Sequence, residues 1–279
     1  MSFVKNYVLS KFFGCKDSGG SGGGSGGGGD LKALVERTIT EIEDNVITNI
    51  GVSAFQACTA LISVNLPNVS TAGTNAFADC SSLADVYFPK LTVFGGGCFA
   101  RCTSLTEISD AQFPELIAIP DLGFNGCSGL LEVNLSKVQR VYQYHAFGGC
   151  SKLQKVVLRS CTNLGTSAFA WCRALSHVDL SAPGQITIDN SAFSACVLKS
   201  FIIRSSVIAN LTAGGAFTES GLEYGNGYIY VPRALLSDDD ATKDYRRATN
   251  WSGFAARFRA LEDYTVDGTV TGELDESKI

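Results

Sequence analysis

A repeat solenoid is the fold class this chain predicts, and three observations predict it. Phenylalanine recurs at Phe55, Phe77, Phe99, Phe124, Phe147, Phe169, Phe193 and Phe217, at steps of 22, 22, 25, 23, 22, 24 and 24 residues. Three residues after seven of them stands a cysteine: Cys58, Cys80, Cys102, Cys127, Cys150, Cys172 and Cys196. Leucine follows at the next helical spacing, and an alternating pair such as Val64 and Leu66 comes after it. A fixed period of this length is the signature of stacked units. One unit cannot bury its own apolar face, so each must pack on its neighbours.

Residues 1–17, MSFVKNYVLSKFFGCKD, place Phe3, Val4, Tyr7, Val8 and Phe12 on one helical face. We read an amphipathic anchoring peptide, because exposed aromatics on an isolated helix need a partner to cover them; a frayed terminus is the alternative. Lys5, Asn6 and Lys11 interrupt the apolar run that a secretory signal requires, and the segment is too short to span a bilayer. Residues 18–29, SGGSGGGSGGGG, form a Gly/Ser flexible linker with a root-mean-square span of roughly 20 Å. A natural tether and an engineered join both fit it.

Residues 30–50 are expected to be an N-terminal cap. Asp30 would open a short helix through Leu31, Leu34 and Val35, followed by strands over 38–42 and 46–50. About eight repeats then fill 51–227. In each, one turn of helix or 3-10 helix would set residues such as Phe55, Cys58 and Leu61 inward. A short strand through Val64 and Leu66 would follow and end at Pro67, which cannot donate to a ladder. Ala72, Phe94, Ile119, Val141, Leu164 and Ile188 then lead into the next unit. The third unit carries an insertion at 110–112, the seventh is shortened before Leu198, and the eighth has Ser220 in place of cysteine. Residues 228–264 read as a strand and a helical C-terminal cap containing Tyr245, Trp251, Phe254 and Phe258. The polar tail, 265–279, reads as extended or disordered.

The pattern F-x-x-C-x-x-L-x-x-V-x-L-P, clearest at 55–69 and 77–91, resembles the BspA-like leucine-rich repeat of bacterial surface antigens and phage- or prophage-encoded proteins. The resemblance covers about 38–230. It implies a solenoid of leucine-rich-repeat type, mainly short β-strands with one helical or 3-10 turn per repeat. It also implies closure by a Tyr-Val-Pro strand and a Tyr…Ala-Thr-Asn-Trp helix pair.

A formal charge of -5 argues against nucleic acid or an anionic membrane surface as partner. The ten cysteines do not read as a disulfide scaffold, because side chains stacked in parallel point the same way rather than at each other. They are expected to pack as buried reduced thiols, with Cys15 in the head segment as the reactive one. Cys98 and Cys102 have no second pair at zinc spacing, and His145 and His177 stand in no catalytic frame. We therefore expect no enzyme, no metal and no cofactor.

Binding remains, through the strand residues that alternate with the inward ones: Ser63, Asn65, Asp85, Tyr87, Glu107, Ser109, Glu132, Asn134, Lys155, His177, Asp179 and Ser200, with Val157 and Ile202 beside them. Acids dominate the first half and Lys155, Arg159, His177 and Arg204 enter the second, so a charge-graded face is expected, with Tyr87 as its aromatic anchor. Ordinary solvent-facing strand residues are the alternative at any one position. Three roles fit. In the first, the chain is a tail-associated virion component of a phage or prophage, assembled in the cytoplasm. It docks to the particle through its head peptide and recognises a host-surface protein or glycan. The second role is a bacterial surface adhesin and the third an intracellular protein-interaction scaffold. The interrupted leader and the reduced thiols favour the first.

Overall fold

The computed structural model describes residues 38–266 and 269–270. The anchoring peptide, the linker, the helix expected from Asp30 and Cys15 lie outside these residues. The remainder winds as a parallel solenoid, each coil carrying a first and a second short strand. First strands at Glu41–Glu43, Ser63–Asn65 and Asp85–Tyr87 pair in one sheet. Those at Glu107–Ser109, Glu132–Leu135, Lys155–Leu158, His177–Leu180 and Ser200–Ile203 continue through Tyr228–Val231 to Phe258–Ala260 in another. The second strands make a matching row, from Asn49–Ile50 to Asn210–Leu211. Neighbours pair in parallel and in repeat register, Val64 on Val86 and Val156 on Val178. The expected N-terminal cap thus enters the stack as its first coil, with Ile42 opposite Val64 and Ile50 opposite Ala72.

Both rows break at the same place, between the coil of Asp85–Tyr87 and the coil of Glu107–Ser109. The insertion explains it. Phe88 N–H donates to the carbonyl of Gln112 at 2.9 Å, so the inserted loop takes a partner that the next strand would have supplied. Phe113 follows into the core and lies 5.9 Å from Phe88, ring to ring.

The repeated phenylalanines form one column. Successive rings from Phe55 to Phe217 stack at centroid distances of 5.2, 5.5, 5.3, 5.3, 5.0, 5.4 and 5.7 Å, with planes within 11° of parallel. Offset stacking at such distances adds to the burial of each ring. Phe254 closes the column edge-on, 5.4 Å from Phe217.

The segment between coils is not a helical turn. Hydrogen bonds do span three residues, Cys58 N–H to Phe55 O at 3.2 Å and Leu61 N–H to Cys58 O at 3.0 Å. However, the residue two after each phenylalanine is left-handed, with φ of 61° at Ala57, 64° at Asp79, 59° at Arg101, 65° at Trp171 and 58° at Ala195. Each aims its N–H at the following coil, as Ala195 N–H does to Thr218 O at 2.9 Å. A left-handed residue ends a helix, so the turns chain together without becoming one; only Gly214–Phe217 in the last repeat is a 3-10 helix. Ala195→Gly should therefore raise stability by about 1 kcal/mol in urea unfolding, opposite to the usual sign of this substitution in an ordered element.

The C-terminal cap also differs from the expected helix pair. Over 228–264 there are two strands and the 3-10 turns Arg233–Leu235, Ala241–Lys243, Ser252–Arg257 and Leu261–Tyr264, with no α-helix. The acids of 238–240 favour turns, and Asp244, which is buried, holds Arg246 and Arg247 at 2.8 and 3.1 Å. The aromatic residues work as hydrogen-bonding plugs. Tyr245 Oη accepts from Ala209 N–H at 2.7 Å, Trp251 Nε1 donates to Ala209 O at 2.8 Å, and Asn250 Nδ2 donates to Leu211 O at 2.6 Å. Together they satisfy the exposed edge of the last second strand. Tyr245→Phe should lower stability by about 1–3 kcal/mol in a urea melt, because Ala209 N–H is left buried and unpaired. In the tail, Thr265–Val266 pairs antiparallel with Thr269–Val270.

Candidate binding surfaces

Alternation in each first strand sends the central residue inward and its flanking residues outward. Asn65, Asp85, Tyr87, Glu107 and Lys155 are exposed, and Ser63, Glu132, Asn134, His177 and Asp179 are half-buried. Tyr87 is 43% exposed, which suits an anchor. Four outward positions are instead covered. Ser109 is 8% exposed because the inserted loop folds over it, its Oγ donating to Gln112 Oε1 at 2.8 Å. Ser200, Ile202 and Val157 are 8, 8 and 6% exposed. Ser200 lies between His177 and Tyr228. Ile202 packs with Tyr230 and Leu261, against which Tyr228 and Tyr264 are laid. The closing segment thus covers the outward side at the last strands.

The charge gradient is shaped by pairing across strands. Lys155 Nζ meets Glu132 Oε1 at 2.9 Å, and Arg204 grips Asp179 with two bonds of 2.9 and 2.8 Å. His177 Nδ1 lies 2.7 Å from Ser176 Oγ. Glu43, Asp85 and Glu107 make no ion pair with another described residue. The strand face therefore has an open acidic end around Tyr87 and a self-neutralised remainder.

Nine cysteines are described, and all are buried. The repeated ones do more than fill space. From Cys80 to Cys196 each Sγ donates to the carbonyl of the phenylalanine one repeat back, at 3.0, 3.2, 3.1, 3.3, 3.2 and 3.3 Å. Cys98 sits where other repeats have alanine, and Cys161 donates to Asn163 O at 3.3 Å. Burial pushes Cys80, Cys161 and Cys196 up to about 12 and holds Cys98, Cys102, Cys127 and Cys150 well above the ordinary thiol value. Such thiols are poor nucleophiles. Alkylation of the native protein at neutral pH should spare the nine while Cys15 reacts; rapid labelling of the ladder, read by peptide mass spectrometry, would contradict the packing. Among the described residues no group of three or more His, Cys, Asp and Glu is placed to hold a metal, and no helix is long and apolar enough to cross a membrane.

Sequence reasoning passed over a second surface. Asp121, Arg140, Tyr142, Gln143 and Asn163 line an open cleft of about 370 Å³ along the second-strand row. The Arg140 guanidinium lies 5.5 Å from the Tyr142 ring centroid. Asp121 Oδ1 is enclosed and has no hydrogen-bond partner among the described residues, and burial raises its carboxyl above the usual value. Each coil contributes only one to three of these residues, so no local motif marks them; exposed Tyr142 and Tyr144 were the available signal.

The family model of the BspA type leucine rich repeat region matches residues 35–112 and 106–220, in 6 copies. The leucine rich repeat protein of T. pallidum, a solved structure, is 25% identical, with a TM-score of 0.51, and the match covers 58% of this chain and 77% of that one. A leucine rich cell surface protein from Faecalibacterium prausnitzii is 24% identical, with a TM-score of 0.48, over 66% of this chain and 58% of its own. No curated protein sequence matches. The phenylalanine column, the thiol ladder and the parallel strand rows give that family match its physical content: the chain belongs to the BspA type leucine-rich-repeat family.

Proposed function

We propose that the protein is a non-catalytic binding protein that recognises a host-surface ligand through its strand face, carried as a tail-associated component of a phage or prophage virion. The observation that carries the binding reading is the open acidic end of that face, where Asp85 shares a strand with the exposed Tyr87, Asn65 stands opposite Tyr87, and Glu107 opens the first strand of the next coil. Parallel pairing holds Ser63 opposite Asp85 and Asn65 opposite Tyr87 in fixed register, so binding there orders little besides the side chains themselves. Tyrosine supplies anchor area at low entropic cost. The particle reading is supported by the amphipathic head peptide, by a linker with a reach of roughly 20 Å, and by buried thiols that suit assembly in a reducing compartment. A bacterial surface adhesin is the second reading, favoured by membership of the BspA type family.

Tyr87→Ala combined with Asp85→Ser should weaken binding of the full chain to host cells by about tenfold or more, with the melting temperature unchanged. Equal binding by this variant would remove the strand face from the reading. Mass spectrometry of purified particles and of cell-wall fractions separates the two locations: the chain in the wall and missing from particles overturns the virion role.

A further inference from the structure

The cleft on the second-strand row is built from three consecutive coils, and its chemistry is not explained by folding. Asp121 follows the strand Ala118–Ile119, Arg140 opens the strand Arg140–Val141 with Tyr142 and Gln143 behind it, and Asn163 opens Asn163–Leu164. The register sets Arg140 directly between Ala118 and Asn163. Ala118 is small and buried, so the arginine has open space on one side and an amide on the other. Among the described residues, the side chains of Arg140, Tyr142, Gln143 and Asn163 make no hydrogen bond or ion pair; the Arg140 guanidinium lies over the Tyr142 ring. Arg140 and Asp121 line the same cleft without pairing. Elsewhere on this molecule such pairs close, as Arg101 with Asp79 and Arg204 with Asp179 do.

An enclosed carboxylate oxygen with no donor is unfavourable unless a ligand or water supplies one. A ligand that completes the cleft must therefore offer hydroxyl or amide donors to Asp121 and an anionic acceptor to Arg140. A simple anion such as sulfate meets the arginine but brings no donor for Asp121, and a basic peptide meets the aspartate but brings no anionic acceptor for Arg140. We propose that the cleft binds a carboxylated sugar at the end or edge of a glycan. The sugar carboxylate pairs with Arg140, a hydroxyl donates to Asp121, and the Gln143 and Asn163 amides take the remaining hydroxyls. A volume of about 370 Å³ lies in the range of small-ligand sites. Leu122 and Tyr144, exposed and joined by a Leu122 N–H to Tyr144 O bond of 3.1 Å, continue the rim with an apolar ledge for a second sugar ring.

Two sources share this chemistry, sialylated host glycans and uronic-acid polymers of bacterial surfaces, and the probes distinguish them. The full chain is titrated calorimetrically with sialyllactose, with a glucuronic-acid-containing disaccharide, and with neutral lactose. Binding of either acidic probe at least about tenfold tighter than lactose is expected, and the better of the two names the source. Arg140→Gln, which keeps a polar stem beside Tyr142, should abolish that preference, and Asp121→Asn should weaken both acidic probes. Tyr87→Ala should change neither, because the strand face is a separate surface whose failure is read in the cell-binding experiment. No binding of either acidic probe at millimolar concentration, equal affinity for lactose, or an unchanged preference in a folded Arg140→Gln variant would overturn the proposal.

Discussion

Above about pH 9 the folded protein is expected to lose stability steeply and unfold in one narrow transition. Seven described thiols, Cys80, Cys98, Cys102, Cys127, Cys150, Cys161 and Cys196, are held above their ordinary value of 9.0, chiefly by burial. In the unfolded chain each ionises near that value. In the native state burial keeps each protonated to higher pH, Cys80, Cys161 and Cys196 to about 12. Below pH 9 both states hold the proton and the thiols contribute no pH dependence. Above it the native state binds more protons than the unfolded one, so stability falls as pH rises, by about 1.4 kcal/mol per pH unit for each thiol.

Seven thiols acting together give a slope on the order of 10 kcal/mol per pH unit, which is as large as the whole stability of a typical domain. Thiolate absorbance at 240 nm and far-ultraviolet circular dichroism, followed against pH, should therefore change together. Gradual thiolate formation with the fold intact would show that the ladder is accessible to solvent. Cys161→Ala should flatten the slope by the share of one thiol.

The period of the chain made the core legible. Phe, Cys and Leu positions could be assigned inward because identical units must stack on identical faces, and every one of the eight phenylalanines is buried in one column. The turn geometry was hidden by a coincidence of spacing. Successive three-residue turns bring Phe55, Cys58 and Leu61 to one side just as a helix would, and the left-handed residue between them is a glycine only at Gly126 and Gly149, the other repeats placing Ala57, Asp79, Arg101, Trp171, Ala195 or Glu219 there. The outward face was read correctly where only the strand decides exposure. It failed at Ser109, covered by an insertion, at Ser200 and Ile202, covered by the closing segment, and at Val157, which is also buried. The cleft escaped because residues 121, 140 and 163 meet only after the coils stack.

Phe99→Ala should have the largest effect of any single core substitution, and its form should be specific. Phe99 stacks on Phe77 and Phe124 at 5.5 and 5.3 Å and meets Phe94, Phe113 and Phe88 at 5.3, 5.8 and 5.9 Å. Truncating a buried aromatic of this kind costs about 3–5 kcal/mol. Phe169, by comparison, stacks on Phe147 and Phe193 at 5.0 and 5.4 Å, where both strand rows run on without a break. Phe99 stands at the coil where both rows are interrupted, and it touches Phe88 on one side of the break and Phe113 on the other. In a stack stabilised by nearest-neighbour interfaces, this aromatic cluster adds to backbone bonds such as Asp79 N–H to Ala100 O and Ile117 N–H to Thr92 O, at 2.8 and 3.0 Å, in coupling the first coils to the rest across the interrupted strands. Phe99→Ala should therefore split urea unfolding, the coils before the break melting first. Circular dichroism would report an early phase to which the two tryptophans, Trp171 and Trp251, both beyond the break, stay silent. Phe169→Ala should lower the midpoint while keeping the two probes coincident. A neutral Phe99→Ala would mean that the repeat is phased wrongly, and a single coincident transition would mean that the strand break carries no energetic weight.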